Sequence, residues 1–290
     1  MTERSEPYTE YTPPADLRAI VACTWVARAG EREASPSPII PDACSDIVVV
    51  GDSAPHVAGP ATRTHEVSTE PGTIVVGIRF KPGAARAVFG CDASELRDAD
   101  VELHAIGIRG TRHLVAALDS ARSPHQMRAA LESWVRARLS ARAARDAMAL
   151  RAAHALVVDP QLTVHGLARS LGWSERRLLR EISATCGYGP KMLQRIVRVQ
   201  RAVRAGRVMG GEWRVGSEGM RRRSHSPPST HHSAPGAQRA LVSLSSLAFE
   251  AGYADQAHMT REFRDLTGFT PRTLLARSRA DVGRWLDDGV

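Results

Sequence analysis

The chain offers little chemistry through sulfur. Its four cysteines, Cys23, Cys44, Cys91 and Cys186, form no CxxC pair and have no histidine at zinc spacing. That excludes a disulfide framework and a structural zinc site, and makes free thiols in a reducing compartment the expectation. Long apolar runs are missing too. No apolar secretion-signal core opens the sequence, and no run approaches the ~18 residues of a membrane-spanning helix. A soluble, cytoplasmic protein without a membrane partner is expected. Lysine occurs only at Lys81 and Lys191, so positive charge rests on arginine.

What is present is unevenly distributed. The 290 residues are enough for two domains with real cores, and the formal net charge is +8. Residues 1–150 hold 17 Lys+Arg against 19 Asp+Glu, whereas residues 151–290 hold 22 against 12. A compositional preference for arginine would not sort charge by position. A basic half beside a near-neutral one points to a nucleic-acid-binding unit attached to something else.

The basic half contains a repeat. Leu167-Ala168-Arg169-Ser170-Leu171-Gly172-Trp173 lies over Leu247-Ala248-Phe249-Glu250-Ala251-Gly252-Tyr253, and with one position of slip Arg180-Glu181-Ile182 lies over Arg261-Glu262-Phe263. Gly187 and Pro190 correspond to Gly268 and Pro271. Each copy reads as two short helices joined by a glycine turn. Val164, Leu167, Ala168 and Leu171 share a helical face; Gly172 ends it, Ser174 caps the next helix, and Leu178 and Ile182 are its buried stripe. In the second copy Leu244, Leu247, Ala248 and Ala251 are followed by Gly252, a cap at Asp255, and Met259, Phe263 and Leu266. Each copy is expected to have its own small apolar core. Two helices joined this way can place the second in a DNA major groove.

The pattern Leu167-Ala168, Gly172-Trp173-Ser174, Arg176, Leu178 and Arg180, then Gly252 through Phe263 and Thr267-Gly268-Phe269-Thr270-Pro271, resembles the AraC/XylS-type transcription regulators. The resemblance covers roughly residues 150–279. It implies an all-α DNA-binding domain, placed at 146–279. Helix-turn-helix units at 162–187 and 244–268, joined by a linker helix at 190–206, would bind successive major-groove segments. Residues 207–242 depart from the family. They are rich in Gly, Ser, Pro, His and Arg, include Arg221-Arg222-Arg223, and read as a disordered insertion. Residues 280–290 are a tail.

Residues 1–16 are polar and proline-bearing and are expected to be disordered. Residues 17–145 form the second unit, a sensor or regulatory domain. Ile47–Val50 and Gly72–Phe80 read as strands bounded by Gly and Pro, which predicts a small β-barrel or half-barrel. Helices follow at 84–89, 111–121 and 124–145, so the fold class expected is two-domain α+β. Pro41-Asp42 with Asp46, Gly59-Pro60 and the Gly77–Ala85 turn resemble the cupin-like N-terminal domain of a subgroup of these regulators. Asp42, Asp46, His56, His65 and Arg79 are candidates to line a polar pocket, but the His-x-His strand of a metal-dependent cupin is missing. Neither an enzyme, a metal site nor a cofactor is expected.

The family's contact positions fall on Ser174, Arg176, Leu179 and Arg180 in the first unit. In the second they fall on Gln256, Ala257, His258, Thr260 and Arg261. Arginine can fork onto guanine and glutamine can pair with adenine, while Leu179 and Ala257 can meet only a thymine methyl. For Arg180 and Arg261 the alternative is an ion pair with the glutamate that follows each. The partners implied are double-stranded DNA, RNA polymerase, a small-molecule effector at the N-terminal domain and a second copy of the chain. An activator role is the expectation, with repression left open. Competing classes are a cupin-like enzyme and an interaction protein with degenerate helix-turn-helix units. A fused alkyl-transfer repair activity lacks its Pro-Cys-His-Arg setting and four-cysteine zinc site.

Overall fold

The computed structural model describes residues 8–30, 37–139, 143–209 and 243–276. Residues 1–7, nearly all of the 207–242 insertion and the 280–290 tail lie outside the described residues.

The N-terminal half is built on an antiparallel sheet. Its elements are β1 (Tyr8–Tyr11), β2 (Val21–Arg28), β3 (Ser37–Ile39), β4 (Ser45–Val50), β5 (His56–Ala58), β6 (His65–Val67), β7 (Ile74–Phe80) and β8 (Asp100–Glu102). Six of these pair in the order β1-β2-β7-β4-β5-β8, while β3 and β6 form a separate ribbon. Barrel closure, one of the two expected forms, is absent among the described residues: β1 and β8 are the sheet's edges. The expectation of disorder through residue 16 is also corrected, because Tyr8–Tyr11 pairs with Thr24–Ala27. These polar residues gain a backbone ladder from β2 that their own composition does not announce.

Period-two alternation sorts the central strands onto two faces. Val76, Ile78 and Phe80 of β7, with Ile47 and Val49 of β4, face a core closed by α1 (Ala85–Phe89), α2 (Thr111–Ser120) and α3 (Pro124–Leu139). Leu114, Leu131, Trp134 and Val135 supply the helical side. The opposite face carries Cys23, Trp25 and Val75. With both faces covered, β7 reads as a nearly unbroken apolar run.

The C-terminal half is helical: α4 (Ala143–Val158), α5 (Val164–Ser170), α6 (Glu175–Cys186), α7 (Pro190–Met209), α8 (Leu244–Glu250), α9 (Gln256–Thr267) and α10 (Pro271–Leu275). Separate cores for the two repeats are not what forms. Leu178 and Ile182 of α6 and Met259 and Phe263 of α9 belong to one continuous cluster, joined by Leu193, Ile196, Val197 and Val203 of α7. Ile40 and Ala43, from the loop between β3 and β4, enter the same cluster, so the sheet region contributes to the helical core. Gln200 Nε2, on α7, donates to the Pro41 carbonyl at 2.7 Å across this seam.

Gly187 and Gly268 end α6 and α9 in the left-handed conformation, at φ of 87° and 74°. Their surroundings differ. A Cβ on Gly187 would meet Pro60 Cγ at 2.5 Å and the Ala93 carbonyl oxygen at 3.1 Å, whereas one on Gly268 would meet none of the described residues within 4 Å. Both Gly→Ala changes incur ~1–2 kcal/mol of left-handed strain, and Gly187→Ala adds overpacking of ~1–3 kcal/mol. Urea unfolding should therefore rank Gly187→Ala below Gly268→Ala in stability.

Candidate nucleic-acid interface

Local chemistry fixes each pair of short helices in the same way. Thr163 caps α5 by accepting from the Gly166 N–H, and Ser243 caps α8 by accepting from Ser246. Gly172 and Gly252 turn the chain at φ of 66° and 83°. The next residue then donates back: Trp173 N–H to the Ala168 carbonyl and Tyr253 N–H to the Ala248 carbonyl, each at 2.9 Å. The second turn is one residue longer, because Ala254 separates Tyr253 from its cap. Ser174 Oγ accepts from the Arg177 N–H at 3.2 Å, and Asp255 Oδ1 accepts from the His258 N–H at 2.6 Å. That extra residue is the slip between the two sequence copies.

Capping and burial together decide which side chains stand outward. Leu178 and Ile182 anchor one side of α6 and leave Arg176, Leu179 and Arg180 exposed on the other. Leu179 is 45% exposed, so its apolar side chain is open to a partner. On α9, Met259 and Phe263 point inward, Gln256, Ala257 and Arg261 are exposed, and His258 and Thr260 are half-buried. Gln256, Ala257, Thr260 and Arg261 line one shallow depression with Arg264. Arg264 was not among the sequence candidates, yet its spacing of three from Arg261 places it on the same helical face.

Several candidates are already engaged. The Arg180 guanidinium lies 3.5 Å from Glu181, an exposed pair of the weak surface kind. Ser245 Oγ donates to Gln256 Oε1 at 3.1 Å, which orients the amide and leaves its NH2 to donate elsewhere. Thr260 Oγ1 donates to the Gln256 carbonyl at 2.8 Å. His258 packs edge-on against Tyr253, ring centroids 5.3 Å apart, with Nε2 3.6 Å from Glu262. Its register partner Arg177 stacks over Trp173 at 4.7 Å, so both copies keep a planar polar group, guanidinium in one and imidazole in the other, on the turn aromatic. Glu262 is turned from Arg261 toward α7, where Arg198 Nη2 lies at 2.6 Å and Arg195 Nε at 3.3 Å.

The N-terminal candidates divide. Asp42, Asp46 and Arg79 come together: Arg79 Nε lies 3.1 Å from Asp46 and 3.8 Å from Asp42, with Nη1 3.9 Å from Glu10. Trp25 Nε1 donates to Asp46 at 2.9 Å. His56 is elsewhere, on β5 beside Asp100 at 3.0 Å, and His65 is exposed on the β3–β6 ribbon. Register explains the split, since Asp46 pairs directly with Arg79 across the β4–β7 ladder while His65 belongs to the other sheet. Among the described residues, no group of three or more His, Cys, Asp or Glu side chains could hold a metal ion, and no helix is long and apolar enough to cross a membrane.

A family model described as a domain of unknown function, DUF6597, matches residues 9–102. No curated protein matches the chain. Solved structures of ToxT from Vibrio cholerae are similar to it. The strain SCE256 protein with an unsaturated fatty acid bound shares 9% identity over 98% of this chain and 100% of that one, with a TM-score of 0.42. The strain O395 protein shares 11% over 93% and 98%, with a TM-score of 0.41.

The buried ionic cluster makes a pH prediction. Burial pushes the Asp46 carboxyl up to about 6; Arg79 opposes the rise and Asp42 adds to it. A carboxyl with a raised folded value stabilises below its unfolded value and loses that contribution as pH climbs through about 6. Arg79→Leu should cost ~3–5 kcal/mol at neutral pH, where the carboxylates around it are left without their cation. The deficit should shrink as pH falls toward 4 and Asp46 takes up its proton, which urea titrations at the two pH values would read.

Proposed function

We propose that the chain is a sequence-specific DNA-binding transcription regulator of the AraC/XylS type, reading two major-groove segments with α6 and α9. The observation that carries the reading is a shared exposure pattern. Two capped helices, each preceded by a glycine turn, bury the same register positions and present Arg180 and Arg261 outward. The excess of positive charge in this half supplies the attraction to phosphate.

Roles follow from side-chain chemistry. Arg176, Arg180 and Arg261 donate to guanine edges or phosphate, and Arg264 joins them on α9. The Gln256 NH2 donates to a base edge, while Leu179 and Ala257 pack on thymine methyl groups. Ser174, at the exposed start of α6, approaches phosphate together with the free N–H groups of the first turn. Thr260, its hydroxyl hydrogen already donated to the Gln256 carbonyl, offers the oxygen as an acceptor. His258 is half-buried, and its main part is to brace α9 against Tyr253. The sheet region is regulatory in this reading, supported by its packing against α6, and a small-molecule effector would act there.

The test is a fluorescence-anisotropy titration of the full chain against a DNA site obtained by in-vitro selection. Affinity should fall steeply between 50 and 200 mM salt, on the order of a thousandfold for six or more phosphate contacts. A chain that stays folded yet binds no duplex at low salt would overturn the proposal. Arg180→Ala and Arg261→Ala should each cost ~1–3 kcal/mol on the selected site and much less on random duplex. Equal losses on both would make them backbone anchors.

A further inference from the structure

The repeated glutamate is held differently in the two copies. Glu181 on α6 and Glu262 on α9 occupy the same register, each directly after an exposed arginine. Glu262 is 8% exposed at its side chain and sits between Arg195 and Arg198, both on α7. Arg198 also stacks over Tyr253 at 5.5 Å, and Arg195 reaches Asp265 at 3.1 Å. The second reading helix is therefore tied to the helix whose core it shares.

Glu181 has no such neighbour on α7 among its described ion pairs. Its oxygen Oε2 lies 3.4 Å from Arg86 Nη1, and Arg86 belongs to α1 of the sheet region. The same guanidinium lies 3.2 Å from Asp92, beside the 3-10 turn at Ala93–Glu95, and 3.7 Å from Asp146 on α4. One cation thus serves three carboxylates drawn from the sheet region, α4 and α6. At Glu262, by contrast, two arginines of α7 converge on one buried carboxylate.

The steric contacts are equally one-sided. The carboxyl end of α6 meets Pro60 and Ala93 at Gly187, and Arg97 Nη1 lies 3.5 Å from the Gly187 carbonyl. Gly83 of the sheet region faces Ala153 and Cys186. Among the described residues, nothing lies within 4 Å of a Cβ placed on Gly268, the matching residue of α9.

We infer that Arg86 is a positioning residue for the first reading helix only: the sheet region sets the placement of α6 through Arg86–Glu181, while α9 is set from α7. Without Arg86, three carboxylates face one another across the seam, with the exposed Arg180 at 3.5 Å from Glu181 as their one remaining cation among the described ion pairs, and α6 loses its charged tie to the sheet region. Asp92 and Glu181 are 45% and 24% exposed at their side chains, so water and salt moderate the effect without abolishing it. A change in the sheet region that moves α1 is then felt at one half of the DNA site. The DNA consequence rests on the proposed function; the mechanical asymmetry does not.

The test is amide hydrogen exchange on the full chain, comparing wild type with Arg86→Gln. Amides of α6 should exchange on the order of fivefold faster, as expected for the loss of a partly exposed ion pair, while those of α9 stay unchanged. Glu181→Gln removes an anion from an anion-rich cluster and so does not threaten folding. It should speed α6 exchange in the same sense, and the double variant should add little to either single one. Equal acceleration in α6 and α9, or none in α6 for both variants, would overturn the inference. In-vitro selection supplies the second arm: Arg86→Gln should relax preference only in the half of the site read by α6. If wild type selects no sequence, the DNA reading falls and the exchange data still decide whether Arg86 positions α6.

Discussion

The apolar surface of α7 is the constraint on which the helical half depends. Leu193, Ile196, Val197, Val199, Ala202 and Val203 are all buried, and the helix touches α4, α6, α8, α9 and α10. Burying each of its large aliphatic side chains contributes ~1.5–3 kcal/mol. More than half the turn of α7 is therefore occupied, which suits a helix packed on several sides rather than an amphipathic one lying on a surface. Because α5–α6 and α8–α9 press on the same rod, neither pair can shift without opening a core common to both.

Polar groups set the register that apolar packing leaves free. Glu262 between Arg195 and Arg198 fixes α9 along α7, and Gln200 reaching the Pro41 carbonyl fixes α7 against the sheet region. Groups buried this deeply destabilise the fold if a partner is lost, so each accepts only a narrow range of neighbouring geometry. Duplication supplied the same residue types twice, and the surroundings gave them different work. Glu181 faces Arg86 because α6, unlike α9, has the sheet region against its carboxyl end.

In the N-terminal half, burial of both sheet faces forces a charge problem inward. Arg79 lies on the face opposite the main core, 6% exposed, and is balanced by Asp46, Asp42 and Glu10. The cluster lies a few residues from Ile40 and Ala43, which pass into the helical core. A structural role for these ions follows directly from their burial and mutual pairing. The two histidines suspected of joining them are separated from the cluster by strand register.

Sequence alone determined the repeat, its glycine turns, its caps and the outward faces of α6 and α9. Those features are set within about twenty residues, where periodicity, capping chemistry and left-handed glycine act locally. It likewise marked β4, β7 and the Asp46–Arg79 residue types, since long buried strands advertise themselves as apolar runs. The tertiary structure decided what depends on distant partners. Strands of three or four residues such as β1, β5 and β8 exist because a neighbouring ladder satisfies their backbone groups, and nothing in their composition records that neighbour. The merging of two expected cores into one, and the different anchors of Glu181 and Glu262, were hidden for the same reason. A sequence repeat states what each copy can offer, while the contacts around it determine which offers are taken up.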